Sequence, residues 1–330
     1  MARAERSVVQ DDAENRRYVV YNLTPNMWEG QWVRHLLAEL PISRYEILDL
    51  WSPPPVNPRR RRLSARVQSF FPPLFRPTRR ALRRIVHPHN FSVFVYNTWG
   101  LDIAVRSEFS KLLSRFRHVG IVSVDEPSRD SSATYDHVTF AVRIGFDLEK
   151  YRDAKNLLVV PLGVPNNFVR PPSVRAIMDR RFSWSFLGEI KNANRQNMVS
   201  KLSTLKGESF VHATSAWNST DSLSGVDYSD VLANAVFVPS PPANVHLECY
   251  RTYEALECGA IPVVDTTYYR DTFDAPFPIV EPTWEDAPEV LNAFLDRRES
   301  LEELHQRCTA WWEDAKQSYP QKVRRLADGA

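Results

Sequence analysis

"ECYRTYEALECGAIPVVD", Glu248 to Asp265, decides the reading of this chain. Its right half, "AIPVVD", is a short apolar run of the kind that forms a strand buried on both faces of a parallel sheet. Its left half has helical character and carries Glu248, Arg251 and Glu254 at steps of three. At that spacing the three side chains drift around a helix but stay within about a third of its circumference. They follow "VFVPSPPANVHL" (236–247), a strand running into a Pro-rich loop. The charged cluster is therefore expected at a helix N-terminus above the carboxyl edge of a sheet, where α/β folds bind anions and sugars.

The surrounding sequence repeats this grammar. In the second half, "RFSWSFLGEI" (181–190) reads as strand then loop and "NRQNMVSKLSTL" (194–205) as a helix. "SFVHAT" (209–214) is a strand, "YSDVLANA" (228–235) a helix, and 283–319 is mostly helical. In the first half, strands are expected at 17–23, 45–50, 91–97, 137–144 and 156–163, with 118–127 running from strand into loop and helices at 26–40 and 106–116. Strands separated by helices imply parallel sheets covered on both faces. The best linker is "PLGVPNNFVRPPSVR" (161–175), rich in Pro and Asn. Two domains follow, 1–165 and 166–330, with a cleft between them faced by the carboxyl ends of both sheets.

The 330 residues suffice for two domains of ordinary size. A formal net charge of +2 says little about partners. Cys249 and Cys258 stand nine residues apart, on opposite faces of a straight helix, so they make a poor disulfide pair there. With Cys308 they read as reduced thiols in a reducing compartment. The N-terminal "MARAERSVVQDDAENRR" is charged, and no run reaches the length of a membrane span. The expected location is cytoplasmic, peripheral to a membrane, or a Golgi-lumenal domain if an anchor precedes it.

One insertion, 52–90, breaks the pattern. It carries ten arginines and no acidic residue. As a solvated loop it needs no partner. Its Arg interleaved with Phe and Leu over 59–84 also suits an anionic membrane surface or a polyanionic acceptor. No nucleic-acid motif accompanies it, so nucleic acid is not expected as a partner. The "HPH" of His87 and His89 lacks a third metal ligand. No P-loop, Gly-x-Gly-x-x-Gly or nucleophile motif occurs, which argues against kinases, dehydrogenases and hydrolases.

"NVHLECYRTYEALECGAIPVV" (244–264) resembles the donor-binding segment of exostosin-like glycosyltransferases, with Arg251, Glu254, Ala255, Leu256, Gly259, Ile261, Pro262 and Val263 matching the recurrent pattern. The form "ECYRTYEA" is most similar to the ribitol xylosyltransferase branch. "WSFLGEIKNANRQNM" (184–198) is similar to the family's strand, Gly and Arg entry into the C-terminal domain. "VSVDEP" (122–127) resembles its N-terminal Asp-Glu segment. The resemblance implies a GT-B fold, two Rossmann-like domains facing a central cleft, with nucleotide-sugar bound mainly by the C-terminal half. Glu254 sits where the family's Glu binds the ribose.

The residues agree with that implication. An Arg can hold phosphate oxygens bidentately and a Glu can accept from a ribose diol. No Asp-x-Asp pair occurs, so diphosphate charge falls to side chains and helix ends, with no metal required. Arg251, Lys191 and Arg195 are the cations at the right loops, Gly188 ends the entry strand, and Asn244, His246 and Glu248 line the preceding loop. An inverting transfer needs a base, for which Asp125 and Glu126 are the candidates, with Asp102 in reserve. The expected reaction is inverting, metal-independent transfer of a sugar, such as xylose or another pentose, from a UDP-sugar to a polyol-phosphate, glycan or polysaccharide. The alternatives are a non-catalytic GT-B protein that binds glycan or an anionic surface, and a GT-B UDP-sugar epimerase.

Overall fold

The computed structural model describes residues 17–23, 27–47, 91–96, 111, 113–116, 118–124, 135, 137–144, 154–216, 219–243 and 246–329. The Arg-rich insertion, with His87 and His89, lies outside them. The chain forms two units: one of Met1–Met27, Leu36–Val160 and Gln321–Ala330, the other of Trp28–His35 and Pro161–Pro320.

The first unit is built on six parallel strands: β1 (Tyr18–Asn22), β2 (Ile42–Ile47), β3 (Phe91–Tyr96), β4 (His118–Val124), β5 (Phe140–Ile144) and β6 (Leu157–Val160), in the order β2-β1-β3-β4-β5-β6. The central strands "FSVFVY" and "HVGIVSV" are buried along nearly their whole length, as strands covered on both faces must be. Val19, Tyr21, Phe94, Phe116, Ile121 and Ala141 belong to its core. The edge strand β2 is largely exposed and begins at Ile42, three residues before the predicted 45–50 strand, of which 48–50 lie outside the described residues. Its register is set by pairing with β1, Val19 to Arg44 through Asn22 to Ile47.

The second unit carries a four-stranded parallel sheet, β7 (Phe182–Gly188), β8 (Glu208–Ala213), β9 (Ala235–Pro239) and β10 (Ile261–Val263), in the order β10-β9-β7-β8. Its helices are α1 (Gly30–Leu36), α2 (Ala193–Leu202), α3 (Gly225–Ala233), α4 (Tyr250–Glu257), α5 (Tyr268–Phe273), α6 (Ala287–Leu295) and α7 (Arg298–Asp328), the last passing into the first unit's segment after Pro320. The sequence predicts α1 over 26–40, but the helix begins only at Gly30. There the side chain of Asn166 accepts the Gln31 N–H at 2.7 Å, capping a first turn from 135 residues away. Trp32 secures the same helix by donating its indole N–H to the Pro161 carbonyl and packing on Trp312.

The opening stretch forms the expected helix and strand. α4 ends in a Schellman turn: Gly259 adopts φ 66°, Ala260 N–H reaches the Ala255 carbonyl and Gly259 N–H the Leu256 carbonyl. The buried guanidinium of Arg180 donates to the Cys258 carbonyl behind that turn and to Ala235 at the start of β9. Burial pushes Arg180 down to about 10. Pro262, which has no N–H to give, sits in the edge strand β10, where the loss of one ladder bond is tolerated. All three cysteines are free, and burial pushes Cys258 and Cys308 up to about 12. No helix of the described residues is long and apolar enough to cross a membrane.

Candidate nucleotide-sugar site

Three sequence features meet at the carboxyl edge of the second sheet: the end of β7, the first turn of α2 and the N-terminus of α4. β7 delivers Gly188 at φ 143°, a backbone conformation suited to glycine. A Cβ there would stand 2.6 Å from Nη2 of Arg251. The glycine thus makes room for a guanidinium. Arg251 donates from Nη2 to the Leu187 carbonyl at 2.7 Å and lies over the Phe186 ring, 4.3 Å from its centroid. Its Nε is buried without a hydrogen-bond partner. Burial works against its charge, yet Cys249, Tyr228 and Glu254 keep its proton affinity above the ordinary value.

Arg195 occupies the first turn of α2, whose N-cap Asn192 accepts the Arg195 N–H. Its guanidinium donates to the Glu189 carbonyl at 3.1 Å. Burial, and then repulsion from Arg251, push Arg195 below its ordinary value. Among the described residues neither arginine forms an ion pair with a carboxylate within 4.0 Å. Two neighbouring guanidinium groups beside helix ends therefore concentrate positive charge, which favours an anion there. No side chain caps α4 either, since Cys249 at its N-cap makes no capping bond. Lys191 is different: it is exposed and paired with Glu189 at 2.9 Å.

Glu254, one turn into α4, accepts the Tyr228 hydroxyl at 2.5 Å on Oε2. It remains partly exposed, and its other oxygen takes no hydrogen bond among the described residues. Burial raises its carboxyl, against the pull of Tyr228 and Arg251. Glu248, read from sequence as lining the loop, is instead fully enclosed. Its carboxylate accepts from the Leu162 N–H at 2.8 Å and from the hydroxyls of Tyr253 and Tyr268. Burial pushes it up to about 7, with those three donors opposing. His246 accepts the Glu248 N–H on Nδ1 at 3.0 Å. The structure therefore brings Gly188, Arg195, Arg251 and Glu254 together, and ties Glu248 and His246 into the support behind them. Asn244, Asp125, Glu126 and Asp102 lie outside the described residues.

Two carboxylates escaped the sequence reading. Glu29, just before α1, accepts the hydroxyl of Tyr250, the first residue of α4. Asp265, just past β10, accepts from Asn194 Nδ2 at 2.8 Å and is raised by burial. Asp265 closes the quoted stretch, so its position at a strand end was available. Glu29 shows only as one acid in a helical run. Among the described residues no group of three or more His, Cys, Asp or Glu is placed to hold a metal.

Residues 166–325 match the profile of the RXYLT1 C-terminal domain. No curated protein matches the sequence. Among solved structures, the N-terminal domain of the Candida albicans trehalose-6-phosphate phosphatase is similar over 94% of this chain and 96% of that one, at 9% identity and a TM-score of 0.54, a likeness of fold. A UDP-N-acetylglucosamine 2-epimerase (12% identity, 91% and 93% covered, TM-score 0.46) and an α1,3-fucosyltransferase (8% identity, 91% and 90% covered, TM-score 0.45) are more distant. Each unit is built on a parallel sheet, six-stranded in the first and four-stranded in the second. Over residues 166–325, just under half of its length, the chain is similar to the RXYLT1 C-terminal domain.

Proposed function

We propose that the chain transfers a sugar, xylose or another pentose, from a UDP-sugar to a polyol-phosphate or glycan acceptor with inversion at the anomeric carbon. The observation that carries this reading is the pair Arg251 and Arg195, two neighbouring guanidiniums with no ion pair among the described residues, beside the uncapped start of α4. A diphosphate placed there takes charge-assisted hydrogen bonds from both arginines and from the helix N–H groups. Glu254, with one oxygen held by Tyr228 and the other open, accepts from the ribose diol. As the anomeric carbon leaves the diphosphate, negative charge grows on the leaving oxygen. Fixed guanidiniums stabilise that charge more than they stabilise the bound donor, and this difference accelerates the reaction. The arginines supply this stabilisation without a metal.

The test is turnover with a panel of UDP-, GDP- and CMP-sugars and ribitol-phosphate or glycan acceptors. Release of UDP and a product of inverted anomeric configuration by NMR is expected. Interconversion of the sugar with donor alone would mark an epimerase instead. Binding of every donor without turnover would mark a non-catalytic shell.

A further inference from the structure

The carboxylates of the second unit differ in how fully they are engaged. Glu248 accepts three hydrogen bonds. Glu257 is bound by Arg170, Trp312 and Lys316. Glu208 and Glu189 are paired with Arg181 and Lys191. Glu254 takes the Tyr228 hydroxyl and lies in the field of Arg251. Among the described residues Glu29 forms no ion pair. It is 5% exposed, its Oε1 accepts from Tyr250, and its Oε2 is buried without a hydrogen-bond partner.

A general base in an active site needs a lone pair free to take a proton, a proton affinity near the working pH, and no cation holding it ionised. Glu29 has such an unpartnered oxygen, no ion pair among the described residues, and a carboxyl shifted upward, in the direction a base requires. Burial raises its carboxyl, against the bonds from Tyr250 and from its own backbone N–H. Among the described residues, Tyr250 from α4 faces it, with Glu254 and Cys249 acting on the same phenol, and neutral Asn166 packs on the adjacent Gly30. Tyr250 precedes Arg251, so the carboxylate is bonded to a side chain from the same first turn that carries the arginine.

We propose that Glu29 is the base that deprotonates the acceptor hydroxyl, with Tyr250 as the residue that positions it; this rests on the sugar-transfer reading above. The acceptor O–H bond breaks and its proton passes to Oε2 of Glu29. The electron pair left on that oxygen forms the new bond to the anomeric carbon. The bond from that carbon to the β-phosphate oxygen breaks, and its pair stays on the diphosphate beside Arg251 and Arg195. The Tyr250 hydroxyl fixes the carboxylate through Oε1 and leaves Oε2 to the substrate.

The experiment uses the full chain with UDP-xylose and ribitol-phosphate. Glu29→Gln is expected to lower kcat by about 10²-fold or more, with UDP affinity by calorimetry within about twofold of wild type. Tyr250→Phe removes a bond that lowers the Glu29 proton affinity, so the acidic limb of its kcat profile should move to higher pH. A merely structural tyrosine would leave that limb in place. The proposal is overturned if Glu29→Gln keeps wild-type turnover, or loses UDP affinity in step with turnover. It is equally overturned if the Tyr250→Phe limb does not move, or if the selective loss of turnover appears in Asp265→Asn, Asp125→Asn or Glu126→Gln instead. A wild type that transfers no sugar would remove the function itself, an outcome separate from an active Glu29→Gln variant.

Discussion

The guanidinium of Arg251 lies over the ring of Phe186, 4.3 Å from its centroid, and its Nη2 donates to the carbonyl of the next residue, Leu187. A cation on the first turn of α4 is thereby fixed against the strand β7. Such an arrangement fixes the fork before any ligand arrives, which lowers the entropy cost of binding an anion.

The space for that fork is made by Gly188. Gly188→Ala would place a Cβ 2.6 Å from Nη2 of Arg251, at φ 143°. The backbone strain alone is on the order of 1–3 kcal/mol. The variant should melt several degrees lower and bind UDP at least tenfold more weakly, measured by thermal unfolding and calorimetry.

Glu248 makes the fold pH-sensitive. Its carboxyl is pushed up to about 7 from an ordinary 4.5, so the folded state prefers it protonated. The stability linked to this group is fully present below about 4.5 and is lost as pH rises through about 7. Glu248→Gln cannot titrate. The difference in unfolding free energy between wild type and this variant should therefore shift by about 2–3 kcal/mol between pH 5 and pH 8, wild type gaining on the acid side. Denaturant melts at both pH values measure it, and a constant difference would show that burial does not govern Glu248.

Much of this site could be read in the sequence because its signals are local. Arg251 and Glu254 precede a strand by a fixed interval, Gly259 supplies the left-handed residue that ends a helix, and Asn192 caps the helix carrying Arg195. The rest depends on partners that local spacing cannot show. Glu248 was read as lining the site because nothing beside it reveals that Leu162 and Tyr268 converge on its oxygens. Glu29 is buried and takes its hydrogen bond from Tyr250, 221 residues away. The helix α5 was not anticipated: "YYRDTF" is too short for a periodic signal and is held by burial of Tyr268, Tyr269 and Phe273.

If the arginines meet the diphosphate charge, turnover should persist in excess EDTA at a rate within about twofold of that without chelator. Loss of activity on chelation, restored by Mn²⁺ or Mg²⁺, would assign part of that charge to a metal.

The Arg-rich insertion makes a prediction from charge alone. Ten arginines over 52–90 attract an anionic acceptor through a screened field. Replacing Arg59, Arg60, Arg61 and Arg62 with Ser should raise the acceptor KM and leave donor affinity unchanged. Added salt should raise the wild-type KM more steeply than the variant's. A KM indifferent to both would make this stretch a solvated loop.

The most direct test of the central claim is a calorimetric titration of UDP into wild type, Arg251→Ala and Arg251→Lys. Removal of a charge-assisted bond to phosphate costs roughly 1.5–3 kcal/mol, so Arg251→Ala should bind UDP about 10- to 150-fold more weakly while its melting temperature stays near wild type. Arg251→Lys should recover only part of the loss, because an ammonium cannot form the planar fork. Equal UDP affinity in all three proteins would contradict the placement of the nucleotide diphosphate at α4.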